Sequence, residues 1–202
     1  MVIVAATREG IELVKDGSAR RTLDADVRCL ADDGSRLWAG TRDDGVRVSD
    51  DRGETWLGGG LAGTAVRSLA VHGSRVYAGL RPAAVWRSEG GDWQPLAPFP
   101  RRRCWFWWSP AEKPHNAYVL GLAANGNVIL AGIEAGALLR SDGGRVWSGH
   151  RRGASRDCHG LWIDGGAPTP SVARGRSLSA TTSVRPGGGR VRVSPVGTAG
   201  LR

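Results

Sequence analysis

An all-β fold of small four-stranded antiparallel sheets is predicted by three observations on this 202-residue chain. A block of roughly 38 residues recurs along the first 163 positions, and a fixed period of that size marks a repeat architecture. Each copy carries a Gly turn at the same place and ends on a Trp. No window holds apolar residues at period 3.6 over ten positions, which excludes a helical repeat of similar length.

Three segments superpose: residues 27–56, 66–93 and 118–147. The first reads as strands over Val27–Ala31, Arg36–Thr41, Val46–Ser49 and Thr55–Leu57. The turns fall at Asp33-Gly34, His72-Gly73 and Asn125-Gly126, where Gly accepts positive φ without steric cost. Trp38 to Tyr77 is 39 residues and Trp56 to Trp93 is 37; Tyr77 to Leu130 is 53, so the third unit follows an insertion. The opening, VIVAATREGIELVKDG, matches the later strands of a further unit. Four strands in such a period fit the blade of a β-propeller, where each small sheet covers its apolar face with its neighbour. Three complete blades plus partial ones are expected, in an incomplete ring.

Composition agrees with this. Glycine is abundant (31 residues) and Trp frequent (9), which suits short strands and tight turns. The net charge of +9 is uneven. Residues 1–149 hold 19 basic and 17 acidic residues, whereas residues 150–202 hold nine Arg against Asp157 and Asp164. The body is near neutral, so nucleic-acid binding is the weakest reading. No segment has the length of a membrane span and the opening lacks a signal-peptide pattern, so a cytoplasmic location is expected. Cys29, Cys104 and Cys158 lack metal-ligand spacing and are read as reduced and mostly buried. No cofactor or metal site is indicated.

Within the repeat, Ser49-Asp50-Asp51-Arg52-Gly53-Glu54-Thr55-Trp56 follows the Ser-x-Asp-x-Gly-x-Thr-Trp pattern of the Asp box, or BNR repeat. Arg140 to Trp147 is a second copy, with Asp142, Gly144 and Trp147 in the matching places. Arg87 to Trp93 is a third, one residue short. On these residues the chain resembles the WD40/YVTN/BNR-like, sialidase-like propellers. The resemblance implies that Ser49, Asp51, Gly53, Trp56, Trp93, Asp142, Gly144 and Trp147 shape turns at the blade periphery and are not catalytic. Asp51 and Asp142 are expected to accept backbone hydrogen bonds, with the three Trp packed beneath.

Two segments interrupt the repeat. Residues 98–117 carry Arg101, Arg102 and Arg103 beside Trp105, Phe106, Trp107 and Trp108, which would suit stacking on a sugar ring; packing against the blade is the plainer reading. His115 is a candidate ligand or acid–base group. Residues 148–162 carry His150, Arg151 and Arg152, candidates for an anion-binding loop, or a charged surface loop. Beyond residue 163 the Gly-, Pro- and Arg-rich composition reads as a disordered tail over 164–202, either an out-of-frame or degenerate continuation or a natural basic tail.

The function expected is a non-catalytic binding or scaffold module for a small molecule, glycan or protein, with self-association through open blade edges. The alternative is an exo-α-sialidase or other glycosyl hydrolase. Against it, the Phe/Tyr-Arg-Ile-Pro motif of sialidases is absent, and no catalytic residue is assigned. Glu134 is the one carboxylate nominated for that role.

Overall fold

The computed structural model describes residues 2–100, 116–134, 136, 138–149, 161–163, 170–172, 179–184 and 192–196. Every element is a strand, and the chain is an all-β structure of the propeller type. Three four-stranded antiparallel blades follow one another. The first is β4 (Val27–Asp32), β5 (Leu37–Thr41), β6 (Val46–Ser49) and β7 (Leu57–Gly58). The second is β8 (Ala65–His72), β9 (Arg75–Arg81), β10 (Val85–Glu89) and β11 (Asp92–Pro95), and the third is β12 (Val119–Asn125), β13 (Val128–Ile133), β14 (Leu138–Asp142) and β15 (Trp147–Gly149).

Turn chemistry sets the hairpins. Gly34, Gly73 and Gly126 adopt φ of 94°, 59° and 58° at the turn between first and second strands, a region costly for residues with a Cβ. The fourth strand of the first blade begins at Leu57, later than expected. Thr55 is engaged with Asp51 and Trp56 with Thr22, so neither joins the ladder early.

The recurring Ala-Gly of the second strand has a packing cause. A Cβ on Gly40 would lie 2.7 Å from Val66 Cγ1, and one on Gly79 would lie 2.7 Å from Val119 Cγ1. Each glycine therefore lets the first strand of the next blade settle against it. The valines so placed are fully buried. Ser68 adds a hydrogen bond to the Val119 carbonyl at 2.8 Å. Apolar cores consequently form between successive sheets, one around Val4, Ile11 and Leu37, another around Trp38, Val66 and Ala78, and a third around Val119, Ile129 and Leu139.

At the ends, β1 (Val2–Ala6), β2 (Ile11–Lys15) and β3 (Ser18–Leu23) supply the last three strands of a further blade. β16 (Leu161–Ile163) pairs with β17 (Pro170–Val172). Within the segment whose composition reads as disordered, β18 (Ser179–Val184) pairs with β1, and β19 (Arg192–Val196) pairs with β18. Main-chain pairing on an open edge needs no core of its own, which is why a Gly- and Ser-rich stretch can form such strands. The free edge expected at β1 is thus taken by β18. Among the described residues no helix is long and apolar enough to cross a membrane.

Candidate functional site

The two ends of the blades differ in chemistry. One end carries the turns between third and fourth strands, where the Asp boxes lie. The ladder register aligns these turns through serines: Leu37 faces Ser49, Val76 faces Ser88 and Ile129 faces Ser141. All three serines are at most 2 % exposed. The blade Trp follows its serine by seven positions in the first box (Ser49 to Trp56), five in the second (Ser88 to Trp93) and six in the third (Ser141 to Trp147).

In the full-length box, Asp51 accepts from Ser49 Oγ at 2.8 Å, Thr55 N at 2.9 Å and Thr55 Oγ1 at 2.6 Å. The Thr55 hydroxyl, its backbone N–H and the Ser49 hydroxyl together lower the Asp51 carboxyl to about 2. Ser49 Oγ also accepts from Gly53 N at 2.7 Å. Arg52, at φ 64°, forms a bidentate pair with Asp32 at 2.9 and 2.7 Å. The register shifts the third box by one place, so that Asp142 stands where Asp50 stands in the first. Asp142 accepts from Arg140 at 3.0 Å, and the Ser141 hydroxyl donates to the Val146 carbonyl at 2.6 Å.

The box tryptophans share one task. Trp56 Nε1 donates to Thr22 Oγ1 at 3.1 Å, Trp93 Nε1 to the Gly59 carbonyl at 2.7 Å, and Trp147 Nε1 to the Ala97 carbonyl at 2.8 Å. Each acceptor lies in or just after the fourth strand of the preceding blade. The box Trp is therefore a blade-to-blade tie.

The opposite end of the blades gathers arginines. In each complete blade the pairing of first and second strands slips at the same point: between Val27 and Cys29, between Val66 and Ser68, and between Val119 and Gly121. The residues skipped are Arg28, Arg67 and Leu120. A bulge removes its residue from the ladder and re-aims the side chain. Arg28 pairs with Asp26 at 2.6 Å, and Arg42, at the end of β5, reaches the same carboxylate at 3.7 Å. In the next blade Ala65 replaces Asp26 at the equivalent register position, while arginines recur at 67 and 81. Arg67, only 8 % exposed, lies 4.7 Å over the Tyr118 ring, and Arg81 lies 5.8 Å from the same ring. A guanidinium over an aromatic face is held there by cation–π attraction. Nothing in the repeat pattern announced this group; the Val-Arg pairs at 27–28 and 66–67 were its only signal.

Arg101, Arg102, Trp105, Trp107, Trp108, His115, His150, Arg151 and Arg152 lie outside the described residues, as do Cys104 and Cys158. By strand direction, β11 and β15 both finish at the arginine-bearing end. Glu134 follows β13 at that end too, its N–H donating to the Tyr118 carbonyl at 3.1 Å. Cys29 is a free thiol whose sulfur sits against Gly40. Burial pushes it up to about 12. Among the described residues, no three His, Cys, Asp or Glu side chains gather as metal ligands.

No family model and no curated protein matches the chain. Solved propellers do. A GH74 xyloglucanase from Xanthomonas campestris is 16% identical with a TM-score of 0.59, over 80% of this chain and 32% of that one. The extracellular domain of the one-component system BT4673 from B. thetaiotaomicron is 13% identical with a TM-score of 0.62, over 89% of this chain and 26% of its own length. YCF48 bound to D1 peptide is 14% identical with a TM-score of 0.51, over 78% of this chain and 46% of that one. Identity this low establishes the fold alone. The chain spans less than half the length of each of the three.

Proposed function

We propose that this chain is a non-catalytic, BNR-repeat propeller segment that serves as a binding module, its ligand face being the end that bears the bulged arginines. The carrying observation is Arg67, nearly buried and held over Tyr118 with Arg81 beside the same ring. The same bulge places an arginine at this end in two successive blades, and the guanidinium fork is the side-chain geometry suited to planar anions. A carboxylate on a small molecule, glycan or acidic protein segment fits the planar, bidentate geometry of guanidinium groups. The saturated carboxylate of Asp51 supports a shaping role for the boxes. That one similar propeller is seen with a bound peptide is compatible with a binding role for this fold.

The test is calorimetric titration of the full chain with N-acetylneuraminate, glucuronate and a poly-glutamate peptide. Binding to at least one, weakened tenfold or more by Arg67→Ala and by Arg81→Ala, is the expected result. No binding to any of the three would refute the ligand face. Hydrolysis of a fluorogenic sialoside or other glycoside, abolished by Glu134→Gln, would replace this reading with the exo-α-sialidase or glycosyl hydrolase alternative.

A further inference from the structure

The Asp-box end holds a cleft that the ligand face above does not involve. In the first complete blade the box tip folds down onto the sheets: a Cβ on Gly53 would lie 3.3 Å from Val4 of the preceding blade and 3.5 Å from Leu37 of its own. The register positions matching Val4 and Leu37 one blade later are Trp38 and Val76. There the turn is two residues shorter, and its Gly90 and Gly91 have nothing within 4 Å of an added Cβ. The tip does not reach the floor. What remains is a cleft of about 260 Å³ over Trp38 and Val76, walled by Ser74, Ser88 and the two glycines.

The shortened turn also strips a serine of its partners. Ser49 and Ser141 both spend their hydroxyls within their own boxes. Ser88, 2 % exposed and on the cleft wall, makes no such bond among the described residues. Its hydroxyl, which can both donate and accept, is therefore left facing the cleft. The charged groups at the rim are otherwise engaged. Asp33 accepts from Ser35 N, Ser35 Oγ, Arg36 N and Trp38 Nε1 at 2.6–2.9 Å. Arg36 pairs with Asp50 at 3.0 Å. An ionic ligand therefore gains no open counter-charge, while a neutral ring with hydroxyls finds an apolar floor, serine hydroxyls and turn amides.

We propose that this cleft between the first and second complete blades is a binding site for a neutral polyol ring of monosaccharide size. Its volume lies just under the roughly 300 Å³ at which drug-sized pockets begin, which favours one ring over a chain. The affinity expected is millimolar, since one small ring contacts few groups.

The experiment is amide and indole NMR on the full chain, titrated with methyl α-glucoside, methyl α-galactoside and methyl α-mannoside. The expected result is saturable shifts at the Trp38 indole and the Ser74, Gly90 and Gly91 amides with at least one probe. They should be lost in Ser74→Phe, which caps the cleft from an exposed turn. They should also be lost when Glu89–Asp92 is replaced by the six-residue turn Asp50–Thr55, which restores the missing tip. No saturation up to 100-fold excess over a millimolar midpoint overturns the site (about 0.1 M). So do shifts that survive both variants, equal response to methyl α-glucuronide, or shifts confined to Arg67 and Tyr118. Loss of carboxylate binding in Arg67→Ala leaves these shifts unchanged, so the two sites fail separately.

Discussion

The Trp147 indole Nε1–H donates to the Ala97 carbonyl across 2.8 Å, joining the last strand of one blade to the segment just after the last strand of the blade before it. The ring is 4 % exposed and meets Phe99 edge-on, centroids 4.9 Å apart at 69°. It both fills the space between blades and satisfies a carbonyl that would otherwise be stranded.

Those two contributions separate by substitution. Trp147→Phe keeps most of the packing and strands the carbonyl, which should cost about 1–3 kcal/mol. Trp147→Ala also opens a cavity and should cost about 3–5 kcal/mol. Urea unfolding followed by circular dichroism checks the order; no loss in Trp147→Phe would mean that the hydrogen bond contributes nothing, and equal losses in the two variants would mean that the packing does not.

Asp51 makes stability fall in acid. Its folded carboxyl is held at about 2, below the ordinary 3.8, first by the Thr55 hydroxyl and then by the Thr55 N–H and the Ser49 hydroxyl. The unfolded chain takes up this proton first as pH falls, so the stabilisation is complete above about pH 4 and disappears towards pH 2. Melting temperature measured across that window should decline more steeply in the native chain than in Asp51→Asn.

Gly79 and Gly58 make a matched pair. A Cβ on Gly79 would meet Ser68 Oγ at 2.3 Å and Val119 Cγ1 at 2.7 Å, whereas Gly58 has nothing within 4 Å and an ordinary φ. Gly79→Ala should destabilise by about 1–3 kcal/mol through overpacking. Gly58→Ala should stay within about 0.5 kcal/mol. Chemical denaturation of both variants decides; similar losses would show that close approach of the blades is not what glycine serves.

Cys29 should be inert in the folded chain. With its thiol raised to about 12 by burial, against smaller opposing effects of the Gly40 backbone and the Arg67 charge, only about one molecule in ten thousand is thiolate at pH 8. In a variant carrying Cys104→Ser and Cys158→Ser, a thiol reagent at pH 8 should react fully only after denaturant is added. Rapid labelling without denaturant would contradict the placement of the sulfur.

Much of the fold was readable because the repeat is spelled by residues with narrow structural uses. Gly34, Gly73 and Gly126 mark hairpins, Gly40 and Gly79 mark close approach, and the Trp of each box marks the blade end. The arginine-bearing end was not readable. A bulge at Arg28 or Arg67 leaves no composition signal, since it depends on a one-residue slip in pairing that only the ladder reveals. Superposing the boxes on Trp likewise put Asp142 beside Asp51, whereas pairing through Ser49 and Ser141 separates them by one place. The cleft at Ser88 was hidden for the same reason, because a missing turn residue tells nothing about the space it leaves.

The tryptophan ties all point one way. Trp56, Trp93 and Trp147 each donate to an atom some 34 to 50 residues earlier in the chain, never to one ahead. During synthesis from the N-terminus each new blade meets an acceptor that has already left the ribosome, so blades can dock as they emerge. Through these ties assembly resembles a zipper with a built-in direction, in which a late blade waits on an earlier one; the edge of β1 runs against it, since its partner β18 is made late.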